Sequence, residues 1–227
     1  MANRTILTWP SSGLNKKSVP VIDFDDDLRS LVQDLIDTMN VNFGIGLSAP
    51  QINRHQQVLV IDCGRIEIDN PDPFSGNEDL LVLINPALKL SGNEIRWQEA
   101  CLSVPGYNAH VKRKDGVHVT YQNIEGESKS FDAPWPLGGV IQHETDHLAG
   151  LLYLNRTSHW ERQRIQKKIL KLRKRKAKLT AELQRRERLE LRGINPDDPR
   201  QQSHGPGKKK KKRVKVKKTH GKKRKKK

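Results

Sequence analysis

Residues 142–150 read Gln-His-Glu-Thr-Asp-His-Leu-Ala-Gly. The five residues from His143 to His147 decide how the rest is read. On a helix, positions four apart share a face, so the imidazoles of His143 and His147 can reach one metal ion. Glu144 sits beside them, close enough to exchange protons with a water that such an ion acidifies. Gly150 is a natural C-terminal stop, and the helix is expected to start near Pro136. Two histidines on a helix can also be ordinary core or surface residues, so the motif needs support from elsewhere.

A catalytic metal needs a third protein ligand and one open position. In the HExxHxxGxxH pattern the third ligand lies downstream, where this chain has Tyr153. A glutamate from a following helix would be Glu161, which opens a basic segment. Upstream lies Glu99-Ala100-Cys101-Leu102-Ser103-Val104-Pro105. A Cys101 thiolate with two imidazoles makes a tetrahedral site with one exchangeable position, and Cys101 is the better candidate. A lone cysteine is more often a small buried hydrophobe, a reading that suits Cys63.

Outward from these segments the chain alternates between elements. Residues Asp25 to Asn40 predict a helix, with Leu28, Leu31, Val32, Leu35, Ile36 and Met39 on one face and Asp25 or Asp26 as N-cap. A Gly-rich strand or turn follows at 44–52, then a buried strand at 57–63. Residues 64–79 have the composition of a surface loop. LLVLINPAL at 80–88 is another strand. Short alternating segments, EIRWQEACLSV, NAHVKRK, VHVTYQN and SKSFDA, suggest an antiparallel or mixed sheet.

Charge divides the chain. Residues 1–158 hold 13 Lys or Arg against 20 Asp or Glu, whereas residues 159–227 hold 30 against 6. A mildly acidic body thus carries a very basic extension, which points to a polyanionic partner such as nucleic acid. Residues 159–192 predict a long basic helix with a narrow stripe of Ile165, Ile169, Leu172, Leu179 and Leu183, broken by Lys176 and Arg186. Residues 193–207 have linker composition. Residues 208–227, with fifteen Lys or Arg and no acid, are expected to be disordered when free. Two cysteines are too few for a disulfide framework, and a reduced compartment is expected. No apolar run is long enough for a membrane span, and the N-terminus lacks the apolar stretch of a secretory signal.

Three segments together resemble the peptide deformylases: Gly44-Ile45-Gly46-Leu47-Ser48-Ala49-Pro50-Gln51, Glu99-Ala100-Cys101-Leu102-Ser103, and the stretch quoted first. Their order and spacing match that family across about residues 4–158. The chain departs from the pattern at Ala100, usually Gly, and at Ser48, usually Ala. Neither change removes a ligand, donor or base. The resemblance implies an α+β fold, a mixed and mostly antiparallel sheet around a central metal-binding helix. It also implies a catalytic domain over residues 1–158, acting as a monomer on formyl-methionyl nascent peptides.

By the same resemblance, Cys101, His143 and His147 hold one divalent metal, Fe2+ in cells, with Zn2+, Ni2+ or Co2+ as substitutes. Glu144 is the general base and acid. The Gln51 amide and the Leu102 backbone N–H bind the formyl oxygen. Ile45, Gly46, Gly139 and Val140, with His143, line the methionine pocket. Glu99, Gln142 and Asp146 are expected to steady these groups, although Asp146 could equally face solvent. Gln51 could merely close a turn. Family members dock on ribosomes through a C-terminal helix, so residues 159–227 are expected to hold this chain against ribosomal RNA. That places it in a bacterial cytoplasm, an infected bacterial cell or an organelle. Two rivals predict other properties. A metalloprotease would use a downstream ligand and ignore Cys101. An RNA-binding adaptor would bind RNA without turnover.

Overall fold

A computed structural model describes residues 3–66 and 80–198; residues 67–79 and the Lys/Arg-rich segment 208–227 lie outside the described residues. The elements run α1 (Asp26–Val41), β1 (Gly46–Ser48), β2 (Val58–Asp62), β3 (Leu80–Ala100), β4 (Asn108–Gln122), β5 (Ser128–Ala133), α2 (Leu137–Leu148), α3 (Tyr153–Arg156) and α4 (His159–Glu190). Short 3-10 turns precede α1 and follow β1 and β2. The five strands form one sheet in sequence order, every neighbouring pair antiparallel. The one parallel pairing among the described residues is the isolated bridge Val19–Gln56.

The segments that read as separate strands fuse into two long ones, and local chemistry explains why. Pro86 has no N–H to give the ladder, so the β3–β4 register shifts between Ile84 and Ala87 rather than ending there. Asn85 takes a positive φ of 50° at that bulge. Its side chain bridges Val21 N (2.8 Å), Val21 O (2.9 Å) and Gln122 Oε1 (2.7 Å). A second shift, between Ser91 and Glu94, is braced by Asn93 N donating to Asp115 Oδ1 at 2.7 Å. Asp115-Gly116 therefore reads as a turn but folds as a bulge inside β4.

β2 is buried on both faces, and its alternation assigns the layers. Val58 and Val60 join Leu28, Leu31, Leu35 and Met39 of α1 in one core cluster. Leu59 and Ile61 join Leu137, Ile141 and Leu148 of α2 in the other. The sheet thus lies between α1 and α2. Asp25 caps α1, accepting from Leu28 N at 3.0 Å. Replacing Asp25 by alanine is expected to cost about 1 kcal/mol of stability, read as a lowered denaturation midpoint at unchanged slope. α2 ends in a Schellman closure: Leu151 N donates to Asp146 O (2.9 Å) and Gly150 N to His147 O (3.0 Å). Gly150 supplies the required left-handed φ of 73°.

The chain divides into two compact units, residues 1–168 and 169–227. In the first, Ile165 near the start of α4 is buried. In the second, Leu170, Leu172, Leu179 and Leu183 are exposed on a basic helix. No helix among the described residues is long and apolar enough to cross a membrane.

Candidate active site

Four elements converge on one cleft of about 780 Å³. α2 brings His143, Glu144 and His147 on adjacent faces of consecutive turns. The end of β3 delivers Cys101 and Leu102. β1 and the 3-10 turn Ala49–Ile52 deliver Gly46, Ser48 and Gln51. Ile45, Gly46, Gln51, Cys101, Leu102, Gly139, Val140, His143 and Glu144 all line the cleft. Gly139 is required there: a Cβ would stand 2.8 Å from the Trp135 ring. That ring packs edge-on against Trp97, centroids 4.8 Å apart, and Trp97 also lines the cleft.

Candidate ligand atoms of Cys101, His143 and His147 lie within 4.8 Å of one another, and Cys101 Sγ is 3.3 Å from His147 Nε2. One thiolate and two imidazoles at such separations suit a tetrahedral zinc-type or iron centre. His143 also has the support usual for a ligating ring. Its Nδ1 meets Glu99 Oε2 at 2.7 Å, which leaves Nε2 for the cleft. The donor set therefore fits a divalent ion. Neither cysteine is in a disulfide, and Cys63 is half-buried against the second core cluster.

The downstream alternatives are elsewhere. Tyr153 is buried, its hydroxyl donating to Tyr107 O at 3.0 Å. Glu161 accepts from Thr157 Oγ1 at 3.0 Å and faces Arg164. Neither belongs to the metal-ligand cluster.

Behind the ligands is a buried ionic chain that the sequence reading missed in part. Arg113 of β4 makes a bidentate pair with Glu99, Nε–Oε1 2.7 Å and Nη2–Oε2 2.9 Å. Its Nη1 donates to Asp146 Oδ2 at 2.7 Å. Arg156 closes the far side on Asp146 with bonds of 2.7 and 3.1 Å. Asp146 is thus buried and paired rather than solvent-facing. Gln142 braces α2 against β4, donating to Lys114 O at 2.8 Å. Arg113 was legible in principle: Ala109, Val111 and Arg113 alternate inward along β4 and all three are buried.

The electrostatics follow from this arrangement. Burial pushes the Glu144 carboxyl up, and His143 and Ser48 only partly offset it. A carboxyl held above its ordinary range is suited to accept and return a proton near neutrality. Burial would also raise Glu99 and Asp146, but hydrogen bonds from His143 and Arg113 to Glu99, and from Arg156 and Arg113 to Asp146, win, so both stay low and ionised. Burial, reinforced by His143, holds His147 well below the ordinary imidazole value. The neutral ring is the ligating form. Gln51 is oriented from both ends. Its Oε1 accepts from Ser48 N at 2.8 Å, while Nε2 donates toward Ser103 Oγ at 3.2 Å and Cys101 Sγ at 3.6 Å. Closing a turn and facing the cleft are thus one arrangement.

A family model described as polypeptide deformylase matches residues 3–163. The peptide deformylase of Helicobacter hepaticus is 36% identical over 174 residues, covering 77% of this chain and 94% of that protein. That of Hamiltonella defensa is 40% identical over 169 residues, 74% and 93% respectively. The crystal structure of the peptide deformylase from Ehrlichia chaffeensis aligns with a TM-score of 0.66 at 32% identity, covering 76% of this chain and 97% of that one. A plant peptide deformylase aligns with a TM-score of 0.68 at 30% identity, covering 80% and 95%. The matched region holds every residue of the cleft and spans nearly the whole of each relative, and on that ground the chain belongs to the polypeptide deformylase family of metallohydrolases.

Proposed function

We propose that this chain removes the formyl group from formyl-methionyl nascent peptides, releasing formate, with the following division of labour. Cys101, His143 and His147 hold one divalent ion, ferrous iron in cells, with zinc, nickel or cobalt as substitutes. Such an ion supplies Lewis acidity to water and to the formyl carbonyl. Glu144 takes the proton of the attacking water and later delivers it to the departing amine nitrogen. The Gln51 amide and the Leu102 N–H donate to the formyl oxygen as negative charge gathers on it. Ile45, Gly46, Gly139, Val140 and His143 wall the pocket for the methionine side chain.

One observation carries this reading. A buried carboxyl with a raised pKa, an amide donor turned toward Cys101 and two members of the Cys-His-His set line a single cavity, with His147 buried behind them, its Nε2 3.3 Å from Cys101 Sγ. The reading uses residues of one chain and needs no second copy. The test is anaerobic formate release from a formyl-Met peptide by iron-loaded protein, with the acetyl-Met peptide as control. Turnover of the first alone supports it. One bound metal per chain with no formate released would sink it.

The basic extension is the second part of the proposal. Residues 159–227 hold the enzyme on ribosomal RNA, in the bacterial cytoplasm or an organelle, where formylated chains emerge. Its 30 basic residues include no aromatic partner beyond Trp160, so the contact is to phosphates rather than bases. Co-sedimentation with ribosomes is expected to fall steeply with salt and to be lost when the chain is cut after Lys168. Equal binding by the shortened chain at low salt would refute the tether.

A further inference from the structure

One buried hydroxyl behind the cleft has no part in the scheme above. Ser48 ends β1 and is wholly buried. Its Oγ meets Glu144 twice, donating to the carboxylate Oε2 and lying 3.0 Å from the Glu144 backbone oxygen. The other carboxylate oxygen faces the bare backbone of Gly46, where a Cβ would stand only 2.8 Å from Oε1. β1 is therefore a cradle for this carboxylate, with a hydroxyl against one oxygen and no side chain against the other.

The same residue also sets Gln51, since Ser48 N donates to Gln51 Oε1 and so turns Nε2 toward Cys101. Any amino acid can supply that N–H, but only serine or threonine supplies the hydroxyl. A glutamate side chain has several rotatable bonds, and its freedom beside an open cleft must be removed for proton transfer to be efficient. A serine hydroxyl both donates and accepts, so the contact holds whichever way the carboxyl's own hydrogen bonding is arranged.

We propose that Ser48 is a positioning residue for this reaction: its hydroxyl fixes the Glu144 carboxylate in the orientation from which it takes and returns the proton. The inference rests on the deformylase reading above.

The test compares the full-length, metal-loaded wild type with Ser48→Ala, Glu144→Ala and the double variant. Formate release, bound metal per chain and melting temperature are measured for each, with the orientation of Glu144 in a crystal structure of Ser48→Ala. Ser48→Ala is expected to lower kcat by about ten- to a hundredfold, the scale of one hydrogen bond to a charged group, with KM within about twofold. Metal content and melting temperature should stay at wild-type values, and the carboxylate should rotate out of its cradle. Added to Glu144→Ala, the serine change should cost nothing more, because its effect acts through that carboxylate.

Three results would overturn the proposal while the deformylase reading stands. They are an unchanged kcat in Ser48→Ala, a loss of equal size in the Glu144→Ala background, or a fall in metal content that accounts for the lost turnover. A wild type that releases no formate would overturn the underlying reading, and this inference with it.

Discussion

Glu144→Ala is expected to cut formate release by about 10²–10⁴-fold, the range for loss of a general acid–base group. kcat and kcat/KM should fall together, since the proton is in flight only in the transition state. The measurement is steady-state formate release by wild type and variant at matched metal content. That match is part of the prediction. Glu144 contacts Ser48 and Gly46, while His143 is held by Glu99 and His147 approaches Cys101, so removing Glu144 leaves the ligand set in place. A variant that keeps its metal and more than a tenth of wild-type turnover would show that another group moves the proton.

The second large effect is on stability. Arg113 is buried between two carboxylates, and Arg113→Met would leave Glu99 and Asp146 short of a counter-charge inside the protein. Removing one partner of a buried ionic network costs about 3–5 kcal/mol. For a domain of this size that corresponds to a fall in melting temperature of roughly 6–20 °C. Differential scanning calorimetry checks it. The partners left behind, His143 on Glu99 and Arg156 on Asp146, moderate the loss but cannot restore the bidentate geometry. A shift of less than about 2 °C would mean that the two carboxylates are solvated rather than paired.

How much of this was legible in the sequence depends on how local each signal was. The face shared by His143 and His147 follows from helical periodicity alone, and α1 follows from its apolar spacing, with Asp25 capping as expected. The resemblance to the deformylases, carried by three motifs, is what implied that Cys101, Gln51 and Glu144 share one cleft. The strands were harder. Ser91-Gly92-Asn93 and Asp115-Gly116 carry the chemistry of strand ends, yet they face each other at a bulge inside two longer strands, because tertiary pairing resumes the ladder on the far side. Arg113 was hidden by composition: in Lys112-Arg113-Lys114 it looks like one more surface cation, and only period-two alternation from Ala109 marks it as inward. Ser48 was legible only as a departure from the family pattern, since nothing local says that its hydroxyl would meet a carboxylate 96 residues later.

Ile165 is the last wholly buried side chain of α4. A stop codon after Lys168 would remove 26 basic and 5 acidic residues without taking one buried α4 side chain from the enzyme. The side chain that anchors α4 to the enzyme and the basic stretch proposed above as a tether thus lie on one helix, and selection can alter the second without the first. The extension can lengthen, shorten or change its charge while the cleft keeps its geometry, and it could be transplanted onto a tailless relative.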